Sequence, residues 1–151
     1  MRLVVVLLTL SCAFDVSARG LSQRACTLDE ADRADKDLDL LNDWDQLYRS
    51  YKNFAHCDDG YIAEGYSEGV SKLLANGWTQ FGRLFALTNT DKRFRQFVLK
   101  HIDATLSGDD LLKIADNARS RCPARARNLC RSINETAAAA LKEQAELGIV
   151  P

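Results

Sequence analysis

Two histidines, His56 and His101, are the side chains of this 151-residue sequence best suited to acid–base work near neutral pH. His56 opens a run through Val70 that packs one cysteine, four carboxylates and three glycines into fifteen residues, so this run is the first place to look for a site. With Asp58 and Asp59, His56 offers one nitrogen and several oxygens, the donors of a metal centre or of a general acid–base pair, and Glu64 extends the set. The same residues have a plainer use, because adjacent aspartates before Gly60 are ordinary helix-capping chemistry. The sequence carries no HExxH, no regular EF-hand loop and no two-cysteine zinc pair. Neither a metal nor a cofactor is expected.

His101 has apolar company. It follows Phe94, Phe97 and Val98 and precedes Ile102 at helical spacing, which predicts a place in the middle of a buried stripe. One reading is a core histidine satisfied by a single hydrogen bond. The other is a general acid or base at the floor of a cleft. A hydrolase built on His101 or His56 with Asp58, Asp59 or Glu64 needs those groups to converge in one pocket. It also needs a nucleophile, and there is no Gly-x-Ser-x-Gly elbow.

A different chemistry is offered by Arg119, Arg121, Arg125, Arg127 and Arg131, which surround Cys122. Guanidinium groups at this density suit phosphate, an acidic glycan or an acidic protein face. The alternative is a solvated helix face paired with the Asp-rich beginning of the fold.

These groups act only where the helices place them. Leu41, Trp44, Leu47, Tyr48, Tyr51, Phe54 and Ala55 recur at three- and four-residue steps, predicting a central first helix from Lys36 onward. Asp58 or Asp59 caps the next, in which Ile62, Tyr66, Gly69, Val70 and Leu73 share the buried stripe. Glu64, Ser67, Glu68 and Ser71 then fall on the solvated side, with Glu68 supported by Lys72. Gly65 and Gly69 cost about 1 kcal/mol each against alanine in a helix. Their expected reason is close approach of a neighbour such as Trp44 or Trp78. Asn76-Gly77 predicts a left-handed helix end. Further helices are expected over Trp78 to Leu87, after a cap at Thr90 or Asp91, after Ser107-Gly108-Asp109, and from Pro123 with Leu129, Ile133, Ala137 and Leu141 inward. The predicted fold is all-α, a compact bundle of five or six helices.

Arg2, the apolar run Leu3 to Leu10 and the small residues of Val16-Ser17-Ala18 have the pattern of a cleaved secretory signal, assigned to residues 1–18. Residues 19–35 are polar and expected to be extended or loosely packed, and residues 36–147 form the helical domain. Beyond the signal no apolar run reaches the length of a bilayer span. The four cysteines after the signal, Cys26, Cys57, Cys122 and Cys130, read as two disulfides in an oxidising compartment. A helix starting at Pro123 would hold Cys122 and Cys130 about 12 Å apart along its axis at ~1.5 Å per residue, too far for a bridge. Each is therefore expected to bond to one of Cys26 and Cys57. The formal charge of −1 argues against nucleic acid. It is unevenly spread: residues 19–70 carry 6 Lys/Arg against 12 Asp/Glu, and residues 71–151 carry 13 against 8, so the halves differ in sign. Asn134-Glu135-Thr136 matches a glycosylation sequon.

The run His56-Cys57-Asp58-Asp59-Gly60, followed by Ala63-Glu64-Gly65-Tyr66-Ser67, then Phe97 through Leu106 and Cys122-Pro123, resembles a family of small exported bacterial helical proteins of unassigned function. The resemblance spans residues 40–133 and implies a periplasmic compartment, but no activity, cofactor or catalytic residue.

Three functions are compatible with these features. The first is an exported, non-enzymatic binding protein, an inhibitor or immunity protein directed at a toxin or hydrolase, with a protein partner in the exported compartment. The second is a periplasmic hydrolase using His101 or His56 with nearby carboxylates. The third is an envelope-associated structural adaptor. Small size, two crosslinks and an incomplete catalytic set favour the first.

Overall fold

The computed structural model describes residues 24–148, so the predicted signal segment lies outside the described residues. The fold is all-α, with seven α-helices, no strand among the described residues, and two disulfides.

The first helix, α1 (Leu28–Leu38), begins earlier than the apolar periodicity predicts. It is set by a capping box: the Thr27 hydroxyl accepts from Glu30 N–H while the Glu30 carboxylate accepts from Thr27 N–H. Periodicity misses it because its buried positions include Glu30 and Ala34 rather than large apolar residues. The long helix predicted from Lys36 is interrupted at residues 39–43, where Asp43 caps α2 (Trp44–Phe54). A single 3-10 turn, Ala55–Cys57, leads to α3 (Gly60–Ala75), which Asp59 caps by accepting from Gly60 N–H at 2.8 Å. A second 3-10 turn, Trp78–Gln80, precedes α4 (Phe81–Thr90), and Asp91 then caps α5 (Lys92–Lys100) with bonds from Arg93 and Phe94 N–H. Ser107 caps α6 (Gly108–Ser120), and α7 (Arg127–Glu146) closes the bundle.

Trp44, Leu47, Tyr66, Val70, Leu74, Leu84, Phe94, Val98, Leu111, Ile114 and Ile133 form one fully enclosed core, and α3 runs through its middle. The α6–α7 pair makes the largest helix–helix contact, and α6 also packs on α3. Two buried amides fix the joints. Asn117 donates to the carbonyls of Leu74 and Ala75, satisfying the end of α3 from α6. Gln144 of α7 donates to the carbonyls of Ala104 and Leu106, holding the α5–α6 connection.

Three local expectations are corrected. Gly65 and Gly69 do permit a close approach, but of Leu38 and Leu41 rather than of tryptophan: a Cβ on Gly65 would overlap Leu38, and one on Gly69 would sit 2.9 Å from Leu41 Cδ1. The end of α3 is not left-handed. Gly77 has φ −99°, and its lack of a side chain instead allows contact with the Leu73 carbonyl, 3.0 Å from where a Cβ would lie.

The third correction concerns the crosslinks, which are Cys26–Cys57 and Cys122–Cys130. Pro123 does not start a helix. It is extended (φ −63°, ψ 138°), and Ala124–Ala126 forms one 3-10 turn before α7. This corner brings the Cα atoms of Cys122 and Cys130 to 6.1 Å, inside the range a disulfide spans. The predicted separation failed because it assumed one continuous helix.

Candidate functional site

The sequence-predicted groups divide into three places. The first is a polar chain that runs from the exposed Lys100 into the interior between α3 and the end of α5. His101 is not mid-helix as predicted; α5 stops at Lys100 and His101 occupies the C-cap, 1% exposed. Its ring packs edge-on against Phe97, with centroids 4.4 Å apart, and beside Tyr66. Nδ1 lies 3.0 Å from Ser67 Oγ, and Ser67 Oγ lies 3.0 Å from Asp103 Oδ2. On the other edge, Nε2 is 3.3 Å from Asp58 Oδ1, a close contact without hydrogen-bond alignment. Lys100 Nζ donates to Asp58 Oδ2 at 2.7 Å. The order is therefore Lys100, Asp58, His101, Ser67, Asp103, anchored at its far end by Thr105 N–H donating to Asp103 Oδ1.

Burial works to raise the Asp58 carboxyl pKa, but the contacts from His101 and Lys100 outweigh it and leave the group below the usual carboxylate range. Asp103 is lowered in the same way, burial being overcome by Thr105 and Ser67. Tyr66, next to this chain, is pushed up to about 12 by burial, and its phenol exchanges a 2.9 Å hydrogen bond with Ser50. The Ser67 hydroxyl donates to Asp103, so toward His101 it stands as an acceptor for Nδ1–H.

The second place is the N-terminal clasp. His56 does not join His101; its Nε2 faces Glu30 Oε1 at 3.4 Å. The Thr27 backbone N–H, then the Thr27 hydroxyl, hold the Glu30 carboxyl down to about 2, with further help from His56 and Arg24. The sulfurs of Cys26 and Cys57 and a ring nitrogen of His56 lie within 4.8 Å of one another, which is metal-ligand spacing. Both sulfurs are consumed by their mutual bond, so no thiolate is on offer to an ion. Asp59 is absorbed in capping α3, and Glu64 is exposed on α3, so neither completes a site with a histidine.

The third place is the corner made by the Cys122–Cys130 disulfide. Arg119, Arg121, Arg125, Arg127 and Arg131 are all exposed there. Arg119 pairs with Asp116 at 3.5 Å. Arg121 donates to Asn117 Oδ1, Arg131 to Asn128 Oδ1, and Arg125 lies over the Phe85 ring. Among the described residues none of Arg121, Arg125, Arg127 and Arg131 forms an ion pair with a carboxylate. Pairing with the Asp-rich first helix does not occur. Among the described residues, the lysine and arginine bridges between the acidic and basic halves are Arg83–Asp45, Lys100–Asp58 and Lys52–Asp91 instead.

Sequence reasoning missed Ser67 and Ser71. Both were assigned to a solvated face, and both are 4% exposed. The available signal was the small side chains on two sides of α3, glycines at 65 and 69 and serines at 67 and 71. They admit α1 on one side and the α5–α6 region on the other. Ser67 and Ser71 line a cleft of about 560 Å³ between α3 and the α5–α6 connection, whose lining also includes Glu64, Glu68, Lys72 and Asp110. The predicted Glu68–Lys72 support is absent, because Lys72 Nζ donates to Asn42 Oδ1 at 2.8 Å.

Compared with known proteins, the chain matches no family model, no curated sequence and no solved structure.

Proposed function

We propose that this is an exported, non-enzymatic binding protein, an inhibitor or immunity protein, that meets an acidic face of a partner protein through its arginine corner. The observation that carries the reading is the set Arg121, Arg125, Arg127 and Arg131, exposed without carboxylate partners on a turn closed by Cys122–Cys130. A turn already fixed by a crosslink loses little freedom on binding. Guanidinium groups suit bidentate contact with carboxylates and accelerate encounter with an acidic surface. Two disulfides and the absence, among the described residues, of any helix long and apolar enough to cross a membrane are compatible with an exported protein.

The test begins with capture of the partner by the oxidised protein from the exported fraction of its own source. The double variant Arg125→Glu/Arg127→Glu should weaken that complex by about tenfold or more, mainly through slower association, and should flatten its salt dependence. Its melting temperature should not change. Unaltered affinity would remove the arginine corner from the interface.

One observation favours a second reading, a hydrolase: Ser67, His101 and Asp58 stand in a hydroxyl–imidazole–carboxylate order, and Ser67 lines the cleft. Against it, the Ser67 hydroxyl is buried and already shared between His101 and Asp103. Turnover of activated esters that disappears in Ser67→Ala with the fold intact would support the hydrolase. No turnover by the parent protein removes it.

A further inference from the structure

The cleft between α3 and the α5–α6 connection carries unmatched negative charge. Glu64, Ser67, Glu68, Ser71 and Lys72 follow one another at helical spacing along one wall, and Asp110 stands on the opposite wall. Among the described residues neither Glu64 nor Glu68 forms an ion pair. Asp110 has Lys113 at 3.2 Å. Lys72, the one lysine or arginine lining the cleft, is turned to Asn42. The start of α6 does not ask for an anion here, because Ser107 Oγ already accepts from Asp110 N–H.

The second observation is Ser71. Ser71 lines the cleft and is 4% exposed, and its hydroxyl lies buried beneath the wall with no hydrogen-bond partner among the described residues. A buried hydroxyl left unpaired is destabilising, so a group that reaches it gains from satisfying it. Ser67, also buried on this wall, is already committed to His101 and Asp103 and leaves Ser71 as the available polar anchor.

A ligand that fits must neutralise carboxylates and bring several N–H donors. An anion is opposed by Glu64 and Glu68, and a neutral polyol would leave their charge unmatched. An ammonium has three donors and a guanidinium five, with no acceptor to conflict with the carboxylates. The volume is of small-molecule size. We propose that this cleft binds an organic cation, a primary ammonium or a guanidinium, with Glu64 and Glu68 pairing its charge and Ser71 accepting one of its N–H groups. Such a group arrives either on a free small amine or on the basic side chain of a peptide. This site is independent of the arginine corner and opposite to it in charge.

The experiment is an amide-resolved NMR titration of the oxidised protein with putrescine, agmatine, and the blocked amides of lysine and arginine, with calcium chloride as the inorganic control. Saturable shifts confined to the cleft walls are expected with at least one organic cation, and added salt should weaken them. Glu64→Gln/Glu68→Gln should weaken binding by about tenfold or more with an unchanged melting temperature, and Ser71→Ala by a few-fold with a melting temperature that is equal or higher, because the unpaired hydroxyl is gone. Response to the free amines alone identifies a small-molecule site, and response to the blocked amides alone a side-chain site. The proposal is overturned if no organic cation gives saturable shifts, if the Gln variant binds equally well, or if calcium produces the same shifts at lower concentration.

Discussion

Each histidine of this chain faces a carboxylate at nearly the same distance: 3.4 Å for His56 and Glu30, 3.3 Å for His101 and Asp58. In neither pair is the contact aligned as a hydrogen bond at Nε2. The surroundings differ. His101 is gripped at its second nitrogen by Ser67 and along its ring by Phe97, and it joins the turn before α3, α3 itself and the end of α5. His56 is more exposed, 17% against 2% for the side chain, and its carboxylate serves the Thr27 cap first. The separation of a histidine and an acid therefore says little about what the pair does. What else holds each partner decides whether the pair is a girder or a by-product of a helix cap.

The comparison breaks most simply by truncation. His101→Ala leaves a cavity in the core and strips Asp58 and Ser67 of a partner, so a loss of about 3–5 kcal/mol is expected. His56→Ala should cost about 1 kcal/mol, because Glu30 keeps Thr27 and Arg24. Urea denaturation followed by circular dichroism and tryptophan fluorescence measures both, and equal losses would end the distinction.

The clasp around His56 draws its strength from elsewhere. The Cys26–Cys57 bridge closes a sequence separation of 31, the Cys122–Cys130 bridge one of 8. By chain entropy, removing the first with Cys26→Ser/Cys57→Ser costs roughly 3.5 kcal/mol, and removing the second about 2.5 kcal/mol. Amide exchange should rise in α1 for the first variant while α5 and α6 stay protected. Uniform deprotection would mean that the clasp and the core fold as one unit.

Much of the scaffold was legible in the sequence. The apolar periods of α2, α5 and α7 marked the right elements, and so did the capping letters: Ser107, and one member of each open pair, Asp59 of Asp58/Asp59 and Asp91 of Thr90/Asp91. Local signals failed where tertiary contact decides. α1 hid because a capping box and a buried Glu30 replace an apolar stripe. The disulfide pairing was misjudged because one extended proline turns what looked like a continuous helix into a corner. Ser67 and Asp103 could not be assigned to His101 in advance: they lie 34 positions before it and two positions after it, and only the packing of α5 on α3 brings them together. The arginines were visible from the start, but their freedom from Asp-rich α1 was not.

The smallest effect sharpens the comparison furthest. Glu30 has its folded pKa lowered from 4.5 to about 2, so it contributes stability that is present above about pH 4.5 and is lost as pH falls toward 2. Asp58 and Asp103 are shifted in the same direction, so acid weakens the parent protein and a Glu30→Gln variant alike. The difference between the two isolates Glu30: it should be open at pH 6 and close between pH 4.5 and 2, read from urea midpoints across the series. His56→Gln should leave most of that closing difference in place, because the Thr27 backbone and hydroxyl are the leading causes of the shift and His56 stands behind them. If His56→Gln abolishes it, His56 holds Glu30 as His101 holds Asp58, and the clasp and the girder are two examples of the same device.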